Sequence, residues 1–316
     1  MGSPEPSQIT VIIVSYESAQ FLSRCLASLP EDVPILVVDN ASTDNSVEVL
    51  KGIERQLEVI ESPVNMGLSR AANLALDRCE TPWVMWLNPD TCLSPGAFEA
   101  LWTTAGQKGV IAVAPRLQHP DGSLQLSTAK PLTLWAVLCE QFMIEPLLRR
   151  SARHAPYWNT QFLDSPTRVD QAMGACLLFP TDFRLDPQFF LYCEDTDLCK
   201  RLGEKGEIWY QPEAVVEHEL GASSEAARWQ AIALYNSGKE LYFSVHHGAL
   251  SSFACLLLNR VGALLRVVLA LPLMVVSPKR AARRFGTFWR VLFAPLNLQR
   301  KKLRIVEESL QERRRR

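Results

Sequence analysis

The 316-residue chain lacks the signatures that would place it at once. Neither GxGxxG nor GxxxxGK[ST] occurs, which argues against dinucleotide oxidoreductases and P-loop ATPases. Its eight cysteines (25, 79, 92, 139, 176, 193, 199 and 255) are scattered without a CxxC pair. That pattern argues against a zinc cluster and fits reduced thiols in a cytosolic setting. The opening MGSPEPSQIT has no basic start and no apolar leader, so export is not expected, and Pro6 stands where a myristoylation signal needs Ser or Thr. No internal repeat or low-complexity stretch is present. The greasiest segment, 253–276, is interrupted by Asn259, Arg260, Arg266 and Pro272. Its unbroken apolar stretches fall short of the roughly 18–20 residues of a spanning helix.

What is present is a strong separation of charge. Residues 277–316 carry 13 Lys/Arg and 3 Asp/Glu, a balance of +10, so the rest of the chain stands at −11. One end is therefore expected to meet an anionic surface. Because the basic tail follows an apolar segment, a membrane face is favoured over nucleic acid. The length suits one large α/β domain with an appendage.

The first hundred residues alternate strand and helix. ITVIIVSY (9–16) is a near-continuous β-branched run, the pattern of a strand buried on both faces. Further strands are expected at 34–39, 57–62 and 81–88, with helices at 18–29, 44–53, 68–79 (opened by Gly67) and 94–105 (capped by Ser94). This order demands parallel strands with right-handed crossovers. Beyond it, 110–118 reads as a strand, 125–168 as an excursion with helical pieces that shapes an acceptor side, and 169–180 as a strand. At Gly174-Ala175 another backbone or a ligand can approach closely. A helix from Glu194 and one or two strands over 207–219 complete the unit.

Carboxylates recur where apolar strands end: Asp39, Asp44, Asp90, Glu194 and Asp195, with His218 closing VVEH. In doubly wound α/β proteins that sheet edge binds nucleotides. Transfer of a group from a nucleoside diphosphate calls for a cation on the diphosphate, and Mg²⁺ or Mn²⁺ held by hard oxygens suits this. Asp90 is placed to be such a ligand, and equally to cap a turn in NPDT. His218 is a ligand or a satisfied core group, and Asp195 a base or a helix cap.

The succession IIVSY, VVDNASTD, NMGLSRAAN, WLNPDT, VDQAMGACLLFP, FFLYCEDTDLCKRL and EHELGAS resembles glycosyltransferase family 2, of GT-A fold, and its rhamnosyltransferase-like branch of O-antigen and cell-wall enzymes. The resemblance spans roughly 9–247. It implies an α/β fold with an open, mostly parallel twisted sheet flanked by helices. It implies a donor site of Ser15, Tyr16, Asp39, Asp44, Arg70 and Asn88, and a metal site of Asp90 and His218. Asp195 would be the general base, supported by Glu194. The reaction would be inverting transfer from a nucleotide-sugar, dTDP-rhamnose or else a UDP-hexose, onto a lipid-linked saccharide. Three positions depart from the pattern: Asn88 replaces the first acid of the DxD-type motif, Glu17 replaces the Asn that commonly follows Tyr, and 183–189 lacks a Gly-Gly turn.

The expected organisation is a disordered lead over 1–8, a catalytic domain over 9–247 and a C-terminal appendage over 248–316. Ser252, Asn259 and Arg266 recur every seven residues, with Arg260 adjacent, as one polar stripe. That stripe favours a helix lying in the membrane interface with its apolar face down, followed by arginines on anionic lipid, so a peripheral or monotopic protein on the cytoplasmic face is expected. The alternative is a soluble helix packed on the catalytic domain. A nucleotidyltransferase would need a Gly-rich, Lys/Arg-bearing loop where SYESAQF stands, and a non-catalytic binding module would have no need of Asp90 and Asp195.

Overall fold

A computed structural model describes residues 6–148, 155–159, 163–219 and 228–315. Three expectations fall partly outside them: the lead at 1–5, parts of the excursion over 125–168 (149–154 and 160–162) and the LGAS end of the EHELGAS motif. Residues Pro6–Gln8 form a 3-10 turn running into the first strand rather than a disordered lead.

The first half is built as the alternation demands, with β1 (Ile9–Ser15), α1 (Ala19–Ala27), β2 (Ile35–Asp39), α2 (Ser46–Lys51), β3 (Glu58–Glu61), α3 (Leu68–Leu76) and β4 (Trp83–Leu87) in turn. Then follow β5 (Thr91–Leu93), α4 (Ala97–Ala105), β6 (Val110–Gln118), β7 (Thr128–Ala129), α5 (Leu134–Gln141) and α6 (Glu145–Leu148). Next come β8 (Thr167–Val169), β9 (Gln171–Ala172), β10 (Cys176–Pro180), α7 (Glu194–Gly203) and β11 (Glu207–His218). The chain finishes with α8 (Arg228–Ala270), α9 (Leu273–Val276), α10 (Pro278–Leu292) and α11 (Leu298–Arg315).

Among the described residues the main sheet has the order β3-β2-β1-β4-β10-β6-β11-β5, with β8 beside β11. Strands β3 to β4 pair in parallel, whereas β10 runs antiparallel between β4 and β6. Every residue of β1 is buried. Ile9, Val11 and Ile13 enter a core shared with Leu22, Leu50 and Phe98, while Ile12 and Val14 enter a second core with Ala71, Leu198 and Leu202. Helices therefore cover both faces, which is why the strand reads as a continuous apolar run.

Two local expectations are corrected. Ser94 does not cap α4, whose N-cap is Gly96 in the left-handed region with no side-chain cap. Instead Ser94 prolongs the β5–β11 pairing, its N–H donating to the Val215 carbonyl at 2.9 Å. The single strand expected over 169–180 is three short ones, because 173–175 divert their backbone groups. The Met173 N–H donates to the Ser127 carbonyl at 2.8 Å, and that of Gly174 to Asp195.

The polar stripe of the appendage turns inward, onto the first part of α8, onto α5 and onto α10. Gly248 (φ 83°, ψ 173°) kinks α8. Beyond the kink, Ser252 donates to the Glu240 carbonyl (2.8 Å) and Asn259 to Glu240 Oε1 (2.9 Å). Arg260 caps the carbonyls ending α10 (Val291, 2.8 Å; Leu292, 2.5 Å; Ala294, 2.7 Å). Arg266 reaches the Glu140 and Gln141 carbonyls on α5 at 2.9 and 2.6 Å. The stripe thus serves protein rather than water, and the apolar face is left outside. Leu250, Phe253, Leu257, Val261, Leu264 and Val268 are all exposed. By length and composition α8 suffices to cross a membrane.

Candidate active site

Reversal of β10 brings the end of β4 beside the segment that precedes β10. Cys176 pairs with Leu87, and the Asn88 N–H donates to the Ala175 carbonyl at 2.9 Å. Gly174 then lies flat on Trp86, where a Cβ would come within 2.6 Å of the indole ring. Close approach at this glycine is what the sequence leads one to expect. It lets the Gly174 N–H donate to Asp195 Oδ2 at 3.1 Å, while Oδ1 accepts from the Thr196 N–H at 2.7 Å. Asp195 is therefore held by two backbone donors and is not the cap of α7. That place belongs to Cys193.

Tyr192 and Cys193 are both left-handed (φ 72° and 68°), a conformation uncommon for such residues. Strain of this kind persists only where packing enforces it. Gly238 of α8 is part of the enforcement, since a Cβ there would lie 2.6 Å from the Tyr192 carbonyl oxygen. The turn delivers Glu194 and Asp195 together into a cavity of about 440 Å³ also lined by Trp86, Asn88, Asp90, Tyr157, Trp158 and His218. Burial, with the neighbouring Asp195 charge, pushes the Glu194 carboxyl up to about 8. Burial also raises Asp195, against the backbone hydrogen bonds that favour its ionised form.

Across the cavity, His218 Nε2 stands 3.4 Å from Asp90 Oδ1 and 3.5 Å from Asn88 Nδ2. Its Nδ1 meets Gln125 Oε1 at 2.8 Å. An amide oxygen can only accept, so Nδ1 carries a hydrogen and Nε2 is the ring nitrogen turned toward the cavity. An imidazole lone pair and a carboxylate oxygen facing each other at this distance repel unless a proton or a cation lies between. Hard oxygen plus imidazole nitrogen, with the ring fixed from behind, is a donor set that fits a divalent ion. Among the described residues no third His, Cys, Asp or Glu completes a cluster.

The expected donor residues divide. A second cavity of about 470 Å³ shares Leu68 and Leu191 with the first and is lined by Tyr16, Asn40, Asn65, Gly67 and Pro89. Beside it, Ser15 Oγ and Asp39 Oδ1 are buried without a hydrogen-bond partner among the described residues, as are Trp86 Nε1 and Glu194 Oε2 at the first cavity. Of the expected donor residues only Tyr16 and Asn88 line a cavity; Ser15 and Asp39 lie one residue from lining positions, and Asp44 and Arg70 line neither cavity. Asp44 takes the Ala19 N–H (3.0 Å) on one oxygen and the Ser46 hydroxyl (2.5 Å) on the other, bracing the loop after β1. Arg70 pairs with Glu307 of α11 at 2.9 Å. Glu17, the departure beside Tyr16, accepts from the Thr43 N–H at 2.8 Å.

Comparison with known proteins gives this geometry its class. The family model for glycosyl transferase family 2 matches residues 10–168. The chain belongs to that family. Over 266 residues, 76% of this chain and 85% of the relative, the glycosyltransferase is 27% identical to N-acetylglucosaminyl-diphospho-decaprenol L-rhamnosyltransferase of Mycobacterium tuberculosis. It is 22% identical over 202 residues to a low-salt glycan biosynthesis hexosyltransferase of Haloferax volcanii, covering 61% of each chain. Among solved structures it resembles the Pyrobaculum calidifontis mannosyltransferase bound to GDP-Man and Mn²⁺ (TM-score 0.53, 14% identity, 92% of this chain and 90% of that one). It also resembles GalNAc-T7 bound to UDP, GalNAc and Mn²⁺ (TM-score 0.51, 15% identity, 73% and 50%). These likenesses agree with the GT-A fold that the motifs imply.

Residue patterning in the glycosyltransferase gave no sign of Gln125, which sits in the expected acceptor-side excursion yet orients His218. The aromatic wall of Tyr157 and Trp158 is equally hidden, because 125–168 has no period to read, and Tyr235 joins it from α8. Nor did anything in the tail announce that α11 would close the second cavity through Lys302, Ile305 and Val306.

Proposed function

We propose that this glycosyltransferase moves L-rhamnose from dTDP-L-rhamnose to a lipid-linked saccharide, with inversion at the anomeric carbon, on the cytoplasmic face of a membrane. The carrying observation is the pair of joined cavities. One is lined by Tyr16, Asn40, Asn65 and Gly67 at the loop ends, and the other holds a backbone-anchored carboxylate opposite an Asp–His pair. The nucleoside belongs in the cavity of about 470 Å³ that Tyr16 lines, near Ser15 and Asp39, and the sugar in the one of about 440 Å³. Asp90 and His218, with Asn88 beside them, would hold Mg²⁺ or Mn²⁺, which supplies charge stabilisation to the departing diphosphate. Asp195 takes the proton of the acceptor hydroxyl as that oxygen bonds to the anomeric carbon and the bond to the diphosphate oxygen breaks. Glu194, holding its own proton, spares Asp195 a second adjacent charge. The likeness to the mycobacterial rhamnosyltransferase supports the choice of sugar and of a lipid-linked acceptor.

The outward apolar face of α8 supports membrane attachment. Its exposed residues fall at helical spacing, and α10 beside it exposes Lys279, Arg280 and Arg284 together with Trp289 and Phe293. Apolar surface flanked by cations and interfacial aromatics fits an anionic bilayer surface.

Donor turnover by the purified protein in detergent tests the reading, with Mg²⁺ or Mn²⁺, dTDP-rhamnose or UDP-sugars, and membrane lipid extract as acceptor. Extract-dependent release of dTDP, reduced at least about a hundredfold in Asp195→Asn, is expected. Release from a UDP-sugar alone would replace the rhamnose assignment, and full activity of the Asn variant would sink the base.

A further inference from the structure

The donor pocket is walled by two parts of the chain, one of them far from the family motifs. Tyr16, Asn40, Asn65 and Gly67 form the side expected from those motifs, while Lys302, Ile305 and Val306 of α11 form the other. The register of α11 is locked one turn before Lys302. The Gln299 side chain is almost wholly buried. Its Oε1 accepts the Phe190 and Leu191 N–H groups at 2.7 and 3.3 Å, and its Nε2 donates to the Leu191 and Leu234 carbonyls at 2.7 and 3.1 Å. Further along, Glu307 clasps Arg70. Between these anchors Lys302 is half-buried, with its Nζ 5.8 Å from the Phe190 ring centroid. Arg304 nearby is paired with Glu308, but among the described residues no carboxylate pairs with Lys302.

We infer that Lys302 is a donor-binding residue, its ammonium contacting the diphosphate of the nucleotide-sugar. This rests on the donor site proposed above. The two cavities meet at Leu68 and Leu191, and Pro89, between Asn88 and Asp90, lines the nucleotide side, so the diphosphate of a donor filling both must pass that junction. A half-buried cation without a counter-charge, on a wall of the same pocket, is matched by that anion. Ile305 and Val306 supply apolar surface on the same wall. The appendage is then a working part of donor recognition.

Calorimetric titration of the full-length protein in detergent tests this, with dTDP, dTMP, UDP and UMP as probes. Lys302→Ala should weaken diphosphate binding about tenfold and monophosphate binding about twofold, with Lys302→Arg keeping most of the affinity. Lys301→Ala, at an exposed neighbour, should bind like the natural protein. Equal affinities for Lys302→Ala and the natural protein would overturn the inference. So would equal losses for mono- and diphosphate, which would make α11 packing alone. Failure of the natural protein to bind any of the four nucleotides would instead sink the donor site itself. Melting curves of each variant separate lost contact from lost fold.

Discussion

Replacing Glu194 with Gln should make the protein more stable at neutral pH, and the gain should vanish in acid. The side chain is 5% exposed, one of its oxygens has no partner, and Asp195 follows directly, so burial and like charge raise the carboxyl from 4.5 to about 8. A carboxyl that holds its proton more tightly folded than unfolded keeps its full contribution below 4.5. It loses that contribution as pH rises toward 8. At 1.36 kcal/mol per unit, the gap between 4.5 and pH 7 comes to about 3 kcal/mol. Gln keeps the shape and never ionises, so it escapes that loss. For a protein of 316 residues about 3 kcal/mol corresponds to roughly 4–5 °C in Tm. Thermal melts from pH 5 to pH 9 should show the natural protein losing Tm with rising pH while Glu194→Gln stays nearly level. The two curves should meet near pH 5. Parallel curves would refute the reasoning, because they would mean that Glu194 is ionised at no special cost.

The remaining predictions concern the geometry around this pair. Gly174→Ala puts a methyl 2.6 Å from the Trp86 ring and 3.1 Å from the Asp195 Cβ. It should cost about 1–3 kcal/mol by overpacking and slow transfer, read by denaturant melts and turnover. Unchanged values in both would show that the segment gives way freely. Asp90→Ala should abolish the stimulation of donor turnover by Mn²⁺, and an intact metal titration would remove Asp90 from the cation site.

Much of the fold is legible in the chain because its first half is local. β1, β2 and β4 are apolar on both faces, β1 and β2 each run into a helix, and Asp39 and Asp90 fall where β2 and β4 stop. What escaped depends on partners distant in sequence. Ser94 looks like a cap until Val215 arrives to take its N–H. Residues 169–180 look like one strand until Ser127 and Asp195 claim the backbone at 173 and 174. Asp44 and Arg70 carry motif positions, but their hydrogen bonds to Ala19, Ser46 and Glu307 are made only in the folded chain. The seven-residue polar stripe was visible; which side of α8 it would face was not, since a buried polar stripe and a wetted one have the same period.

The wall that α11 adds also orders events during synthesis. The loop after β1 leaves the ribosome early, but the opposing wall of its pocket arrives nearly a whole chain length later, roughly 15–60 s at ordinary elongation rates. Throughout that interval the proposed donor pocket is open on one side, and only in its last part, roughly 2–10 s before α11, do the outward apolar residues of α8 emerge. On the membrane attachment and donor site proposed above, the polypeptide therefore exposes its apolar face before the wall that would grip a nucleotide is made.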